Sequence, residues 1–202
     1  MAIQHKNVSD AERHEPKGAS TATINHVLSS DGDTTTSFRA PMMMGWYNYD
    51  HDGASVAITA AATYYDLIND GAGPNTYSFQ KLPGVDDVWN TSTNRFDFTD
   101  LEVGDTLDIR VDLVVTTGAS NTGVDLVLEL ATGSGSPITI PIFTRNFKVA
   151  ATYQITTTFG TFLGSALTQG NPARLRVRAD ATGSTVVING WYVRVIKPGD
   201  TL

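Results

Sequence analysis

The chain of 202 residues contains no cysteine, which excludes a disulfide framework, a thiol nucleophile and a thiolate metal site. Folding therefore does not depend on redox compartment. Positive charge is scarce: 14 Lys and Arg stand against 21 Asp and Glu, a net charge of -7. Such a chain repels duplex nucleic acid and anionic lipid unless a local basic patch overrides the field, so nucleic acid is not the default partner. Long apolar runs are missing as well. The opening stretch MAIQHKNVSDAERHEPKG has no apolar core of the kind a secretion signal needs, and no run approaches the roughly 18 apolar residues of a membrane span. The expectation is a soluble protein that keeps its Met1 end and has no membrane partner.

Motifs that carry chemistry are also missing. The four histidines, His5, His14, His26 and His51, all lie in or beside the N-terminal segment, so a Ser-His-Asp site or a His-ligated metal would have to borrow from that end. No Gly-x-Ser-x-Gly elbow is present. Neither of the glycine patterns that cradle phosphate occurs. Carboxylates do cluster, at Asp86-Asp87, Asp97, Asp100, Glu102 and Asp105, with Asp50-His51-Asp52 and Asp31-Gly32-Asp33 elsewhere. Calcium requires about six to eight converging oxygens and no complete EF-type loop is present; turn formation and solvated faces account for most of these acids. A paired-carboxylate glycosidase has less support still. We therefore expect no catalytic residue, no cofactor and no metal, in a protein that is not an enzyme.

What the sequence does contain is β pattern. Charged residues make up only 17% of the chain, beside 18 Gly and a heavy use of Thr, Ser, Asn and Val, which favours strands and tight turns over helices. The clearest stretch is Leu101 to Thr117, in which Leu107, Ile109, Val111, Leu113 and Val115 alternate with Asp108, Arg110, Asp112 and Val114. A strict period of two is the mark of a strand with one dry and one wet face. Gly104-Asp105 before it and Gly118 to Gly123 after it supply the turns. Further strands are expected at Val56 to Thr59, around Thr63 to Ile68, at Thr76 to Gln80, Arg95 to Phe98, Val124 to Leu130, Ile138 to Phe143, Tyr153 to Phe162 and Arg174 to Ala179. Pro141 cannot donate to a ladder, so its strand belongs at an edge or carries a bulge. Thr185 to Ile188 and Trp191 to Ile196 flank Asn189-Gly190, which is either a hairpin turn or a bulge within one long strand. Ala60-Ala61-Ala62 leaves a helix as an alternative there, and Gly164 to Pro172 reads as a loop. Trp89, Phe96 and Phe98 belong to the core. Eight to ten strands without a βαβ rhythm give an all-β, jelly-roll-like two-sheet sandwich, with an immunoglobulin-like sandwich as runner-up.

Residues 1–45 differ, and the domain organisation predicted is an extended N-terminal arm over 1–45 and a sandwich over 46–202. The arm's apolar residues Ile3, Val8, Ile24, Val27, Leu28 and Phe38 follow neither helical nor strand spacing. Ser9 and Glu12 could form a capping box for a short helical turn, which Pro16 and Gly18 would interrupt. Arg13, His14, Glu15, Pro16, Lys17 and Gly18 combine a fixed bend with charges of both signs, and this is the segment assigned to partner binding. Pro41 to Tyr49, PMMMGWYNY, joins arm to domain and is read as core packing at the domain edge ahead of a binding surface.

Arg174, Arg176 and Arg178 share one strand face, a basic stripe in an acidic protein. Cross-strand pairing with acids such as Asp108 and Asp112 accounts for them as well as a subunit contact does, in which the planar guanidinium pairs bidentately with carboxylates. The aromatic surplus of Phe143, Phe147, Phe159, Phe162, Trp191 and Tyr192 is read as part of such a contact.

The segment SDAERHEPKGASTATINHV resembles the N-terminal segment of structural proteins of tailed bacteriophages, in which a stretch like HEPKGA precedes a β-rich domain. YYDLINDGAG, LPGVDDVWNTSTNRFDFTDLEVGDTLDIRVDL and VVINGWYVRVIKP are similar to jelly-roll domains of phage capsid-decoration and fibre proteins, whose architecture is akin to trimeric tumour-necrosis-factor and complement heads. The resemblance implies a virion protein, made in the host cytoplasm, usually a homotrimer, that holds the major capsid protein or another virion protein through its arm. It implies no catalytic residues. The first expectation is a decoration or cement protein of the capsid shell. The alternatives are a tail, neck or head fibre that recognises a host surface glycan, and a carbohydrate-binding or carbohydrate-active domain.

Overall fold

A computed structural model describes residues 27–30, 36–39, 41–50, 54–68 and 80–199. The chain divides into two compact units, Met1–Met43 with Pro198–Leu202, and Met44–Lys197. In the first unit, β1 (Val27–Ser30) pairs antiparallel with β2 (Thr36–Arg39), Leu28 lying opposite Phe38. Sequence reading found no strand there because Val27 and Leu28 are adjacent rather than alternating, which erases a period of two over four residues. Arg13 to Gly18 and the short helical turn after Ser9 lie outside the described residues, as do all four histidines.

The second unit is an all-β sandwich of two antiparallel sheets. Its centre is β8 (Thr106–Thr116), whose Leu107, Ile109, Val111, Leu113 and Val115 are buried while the alternate residues face outward. On one side β8 pairs with β11 (Thr152–Phe162), and on the other with β13 (Ser184–Lys197). Beyond β13 come β3 (Met43–Asp50) and β4 (Ser55–Ile58), which completes a five-stranded sheet. The second sheet runs β10 (Ile138–Phe147), β9 (Thr122–Leu130), β12 (Arg174–Ala179), β5 (Tyr65–Asp66). A small hairpin of β6 (Trp89–Asn90) and β7 (Arg95–Phe96) joins it through a bridge from Phe96 to Ala173.

Most expected strands are present with small changes of length. The stretch Leu101 to Asp105 is a turn rather than strand, held by Glu102 N donating to Asp105 Oδ2 at 2.9 Å, and Gly104 takes a φ of 106°. Pro141 lies on edge strand β10, where the register against β9 slips between Pro141 and Phe143. Residues 60–62 form a turn, not a helix: Ala62 has a φ of 56° and its N–H donates to the Ala179 carbonyl at 2.7 Å. The loop after Gly164 contains α1 (Ala166–Gln169), capped by Ser165. Most of Thr76 to Gln80 lies outside the described residues.

Asn189-Gly190 is a bulge in one long strand, since the pairing of β13 with β8 shifts between Ile188 and Gly190. Before the bulge Ser184, Val186 and Ile188 face the core; after it Trp191, Val193 and Val195 do. One extra residue inverts which side chains are dry. Gly190 has a φ of 147°, a conformation that side chains with a Cβ rarely adopt.

The core gathers around Trp191, whose ring lies 4.0 Å from that of Trp89 and 5.9 Å from that of Phe96. Trp191 and Phe147 are buried, 1% and 2% exposed, so these two belong to the core and not to a surface aromatic cluster. Loop residues 82–88 lack a ladder of their own, and two tyrosine hydroxyls from β3 serve them instead. Tyr49 Oη accepts from Val88 N at 2.9 Å and Trp89 N at 3.1 Å, while Tyr47 Oη donates to the Val85 carbonyl at 3.1 Å. Burial pushes both hydroxyls to a higher pKa, so they stay protonated.

Candidate functional site

Strand alternation divides the PMMMGWYNY join between two roles. Gly45, Tyr47 and Tyr49 turn inward, and glycine is required at 45 because a Cβ there would meet Leu82 Cγ at 2.7 Å. Met44, Trp46 and Asn48 turn outward, onto the exposed face of the five-stranded sheet. The bulge at Asn189 delivers Tyr192 and Arg194 to the same face, where β8 contributes Asp108, Arg110 and Asp112 and β11 contributes Thr156 and Thr158. Register sets the rows: Thr158, Arg110 and Tyr192 lie side by side across three strands, and Gly160, Asp108 and Arg194 form the next row.

These side chains hold one another. Trp46 and Tyr192 have ring centroids 5.1 Å apart at 32°, and the Arg194 guanidinium sits 5.5 Å from the Trp46 centroid. Arg194 also pairs with Asp108 opposite it. Arg110 pairs with Asp112 at 2.9 Å, and Asp112 Oδ1 accepts from Thr156 Oγ1 at 2.6 Å. Where Gly190 stands beside Asp112 no side chain fills the surface. A cavity of about 430 Å³ opens there, lined by Asn48, Arg110, Asp112, Asn189, Gly190, Trp191 and Tyr192. A second hollow of about 200 Å³ shares Arg110 and Tyr192 with it and reaches Trp46, Asp108, Thr158 and Arg194. Two half-buried aromatic rings thus sit beside two ion pairs of cancelling charge. Sequence reading named Trp46 and Tyr192 separately but missed this face; the alternation in MMGWYNY, combined with the bulge reading of Asn189-Gly190, is the signal that would have found it.

The basic stripe lies on the other sheet. Arg174, Arg176 and Arg178 occupy β12, and each is paired within the chain. Arg174 reaches Glu129 Oε1 at 2.6 Å and Asp66 Oδ2 at 2.8 Å; Arg176 reaches Glu129 Oε2 at 2.9 Å and Asp66 Oδ1 at 3.2 Å; Arg178 reaches Asp125 Oδ2 at 2.6 Å. The partners are therefore Glu129, Asp125 and Asp66, not Asp108 and Asp112, which lie on the opposite sheet. Sheet order decides this, since β12 pairs with β9 and β5, whereas β8 belongs to the other sheet. Glu129 is nearly buried. Burial works to raise its pKa, but the hydrogen bonds and charges of Arg174 and Arg176 outweigh it and hold the carboxyl below the usual range.

Of the acid clusters, Asp97 forms a turn with Thr99 N at 3.1 Å, and Lys81 pairs with Asp87 at 3.1 Å. Asp105 is nearly buried and its pKa is raised by burial. Among the described residues no three His, Asp or Glu side chains converge in a way that could hold a metal ion, and no helix is long and apolar enough to cross a membrane.

No family model matches the sequence, and no curated protein matches it. Solved structures similar to this chain include that of infectious bursal disease virus, Gx strain, at 12% identity and a TM-score of 0.42, covering 86% of this chain and 37% of the viral one. Dimeric latent PorU from Porphyromonas gingivalis is similar at 11% identity and a TM-score of 0.45, over 88% of this chain and 14% of PorU. The Eiger TNF from S. frugiperda is similar at 11% identity and a TM-score of 0.44, over 80% of this chain and 96% of that one. This chain spans little more than a third of the viral chain that it resembles.

Proposed function

We propose that this chain is a non-enzymatic structural protein of a tailed-phage particle, a decoration or cement protein that grips the capsid shell through residues 1–45 and displays its sandwich outward. The observation that carries the reading is the division of the chain. Met44–Lys197 is a compact unit in its own right, and among the described residues its buried hydrophobic side chains run from Tyr47 to Val195. The HEPKGA-type segment supplies the other half of the reading. Extended, ten residues reach about 33 Å, enough to cross a neighbouring subunit or add a strand to its sheet edge.

A homotrimer is part of the proposal. Ile140, Phe143 and Phe159 are half-buried on the edge strands β10 and β11, and Ile138 and Phe162 are 44% and 62% exposed. Apolar surface at sheet edges favours contact with a second copy, and head-to-tail contacts close with threefold symmetry. Mass measurement in dilute solution is expected to give a trimer, and a monomer alone overturns that part.

Deleting residues 1–40 tests the attachment reading. The truncated protein is expected to melt at nearly the same temperature while failing to join particles; incorporation at wild-type copy number overturns it. Imaging of particles then separates decoration, with copies spread over the shell, from a fibre, with copies confined to vertices or tail.

A further inference from the structure

The geometry points to the outer face of the five-stranded sheet, centred on Trp46 and Tyr192, as a binding site for an uncharged oligosaccharide. The inference goes beyond the attachment role and does not depend on where the arm docks.

Sugar rings offer two kinds of surface, an apolar face of C–H groups and a rim of hydroxyls. A site for them needs aromatic faces together with planar polar groups whose hydrogen bonds are fixed in direction. Trp46 and Tyr192 supply the first, standing 5.1 Å apart on adjacent strands. Arg110, Asp112 and Asn48 supply the second around the cavity of about 430 Å³, within the range of roughly 300–1,000 Å³ typical of small-molecule clefts. The polar groups are already held in place: Arg110 Nε and Nη2 bind Asp112 Oδ1 at 3.3 and 3.2 Å, and Thr156 fixes the same oxygen. A guanidinium has five N–H donors, so Arg110 keeps donors for a hydroxyl after pairing with Asp112. The shared hollow at Trp46 continues the cavity along the sheet, which suits several linked rings better than one.

Charge decides against two competing ligands. Arg110 cancels Asp112 and Arg194 cancels Asp108, so the face offers no net positive field to an anionic ligand. A second protein would have to desolvate both ion pairs, and the cores of protein interfaces are depleted of Asp. A hydroxyl-rich ligand leaves both pairs hydrated by groups like water.

The test uses the purified full chain and a printed array of neutral and acidic oligosaccharides that includes bacterial surface polysaccharides, followed by calorimetry on the positives. At least one neutral oligosaccharide is expected to bind and to change tryptophan fluorescence, because Trp89 and Trp191 are buried and Trp46 is not. Trp46→Ala and Tyr192→Ala are each expected to weaken binding about tenfold or more, with melting temperatures showing that both fold; Asn48→Ala serves if either does not. Lys148→Ala, on the exposed 148–151 connection, should bind as wild type. The inference is overturned by a blank array with folded protein, by binding confined to acidic glycans, by binding that survives both aromatic substitutions, or by self-association that Trp46→Ala abolishes. None of these results bears on the arm, which is tested on particles.

Discussion

Replacing Glu129 by Gln keeps the side chain's shape but removes one negative charge and turns one of its two accepting oxygens, which take hydrogen bonds from Arg174 and Arg176, into a donor. In the folded chain Asp66 and Glu129 are surrounded by Arg95, Arg174 and Arg176, so the substitution leaves three guanidinium groups around one carboxylate. Breaking a fully buried pair costs about 3–5 kcal/mol, while an exposed pair contributes about 0–1 kcal/mol. Here the Glu129 side chain is 9% exposed and those of Arg174 and Arg176 are 20% and 23%, between the two limits. We expect a loss of about 2 kcal/mol at neutral pH, a fall in Tm of roughly 4–8 °C for a domain of this size. The pH dependence is the sharper test. Because the folded pKa lies below the unfolded value of about 4.3, the stabilisation is present above that value and is lost as pH falls through the folded pKa. Wild type and Glu129→Gln should therefore differ by a constant amount at neutral pH and converge in acid, below pH of about 4. Urea denaturation at a series of pH values measures this. A difference under about 0.5 kcal/mol at pH 7, the scatter of ordinary surface substitutions, or a gap that persists unchanged in acid, would refute the account of the Arg stripe as an internal ion-pair network.

Gly190→Ala should lower stability by about 1–3 kcal/mol, because its φ of 147° is strained for any residue with a Cβ, whereas Gly135→Ala, with open space around it, should melt as wild type. Tyr49→Phe removes the acceptor shared by Val88 N and Trp89 N; a loss of about 1–3 kcal/mol is expected, with faster amide exchange at those two residues as the specific readout.

The sandwich was legible because its strands carry an alternation that burial requires. Leu107 to Val115 and Leu175 to Ala179 could be placed with their inward side chains from sequence alone. Strands β5 and β7 fall inside expected strands but are only two residues each, and β6, also two residues, is defined mainly by its neighbour, which no local pattern records. Which acids meet Arg174 and Arg176 depends on sheet order, a nonlocal property, so the sequence points to cross-strand acids such as Asp108 and Asp112 where the sheet supplies Glu129 and Asp66. The assignment of Trp191 and Phe147 to a surface cluster failed for a related reason: an aromatic residue fits a core and an interface equally well, and only the phase of its strand distinguishes them. The outer face stayed hidden because its members are spread from Trp46 to Arg194 and meet only through the bulge.

That bulge gives the protein a particular freedom. The strand Ser184–Lys197 works like a two-letter code whose parity is reset once, at Asn189. Loss of that single residue would exchange every wet position beyond it for a dry one, while substitution at 192 or 194 changes only contacts on the outer face, with Trp46 and Asp108. The half of the strand that presents Tyr192 and Arg194 can therefore change its chemistry residue by residue while Trp191, Val193 and Val195 keep the core unchanged, so the outer face can diverge while the buried packing stays the same.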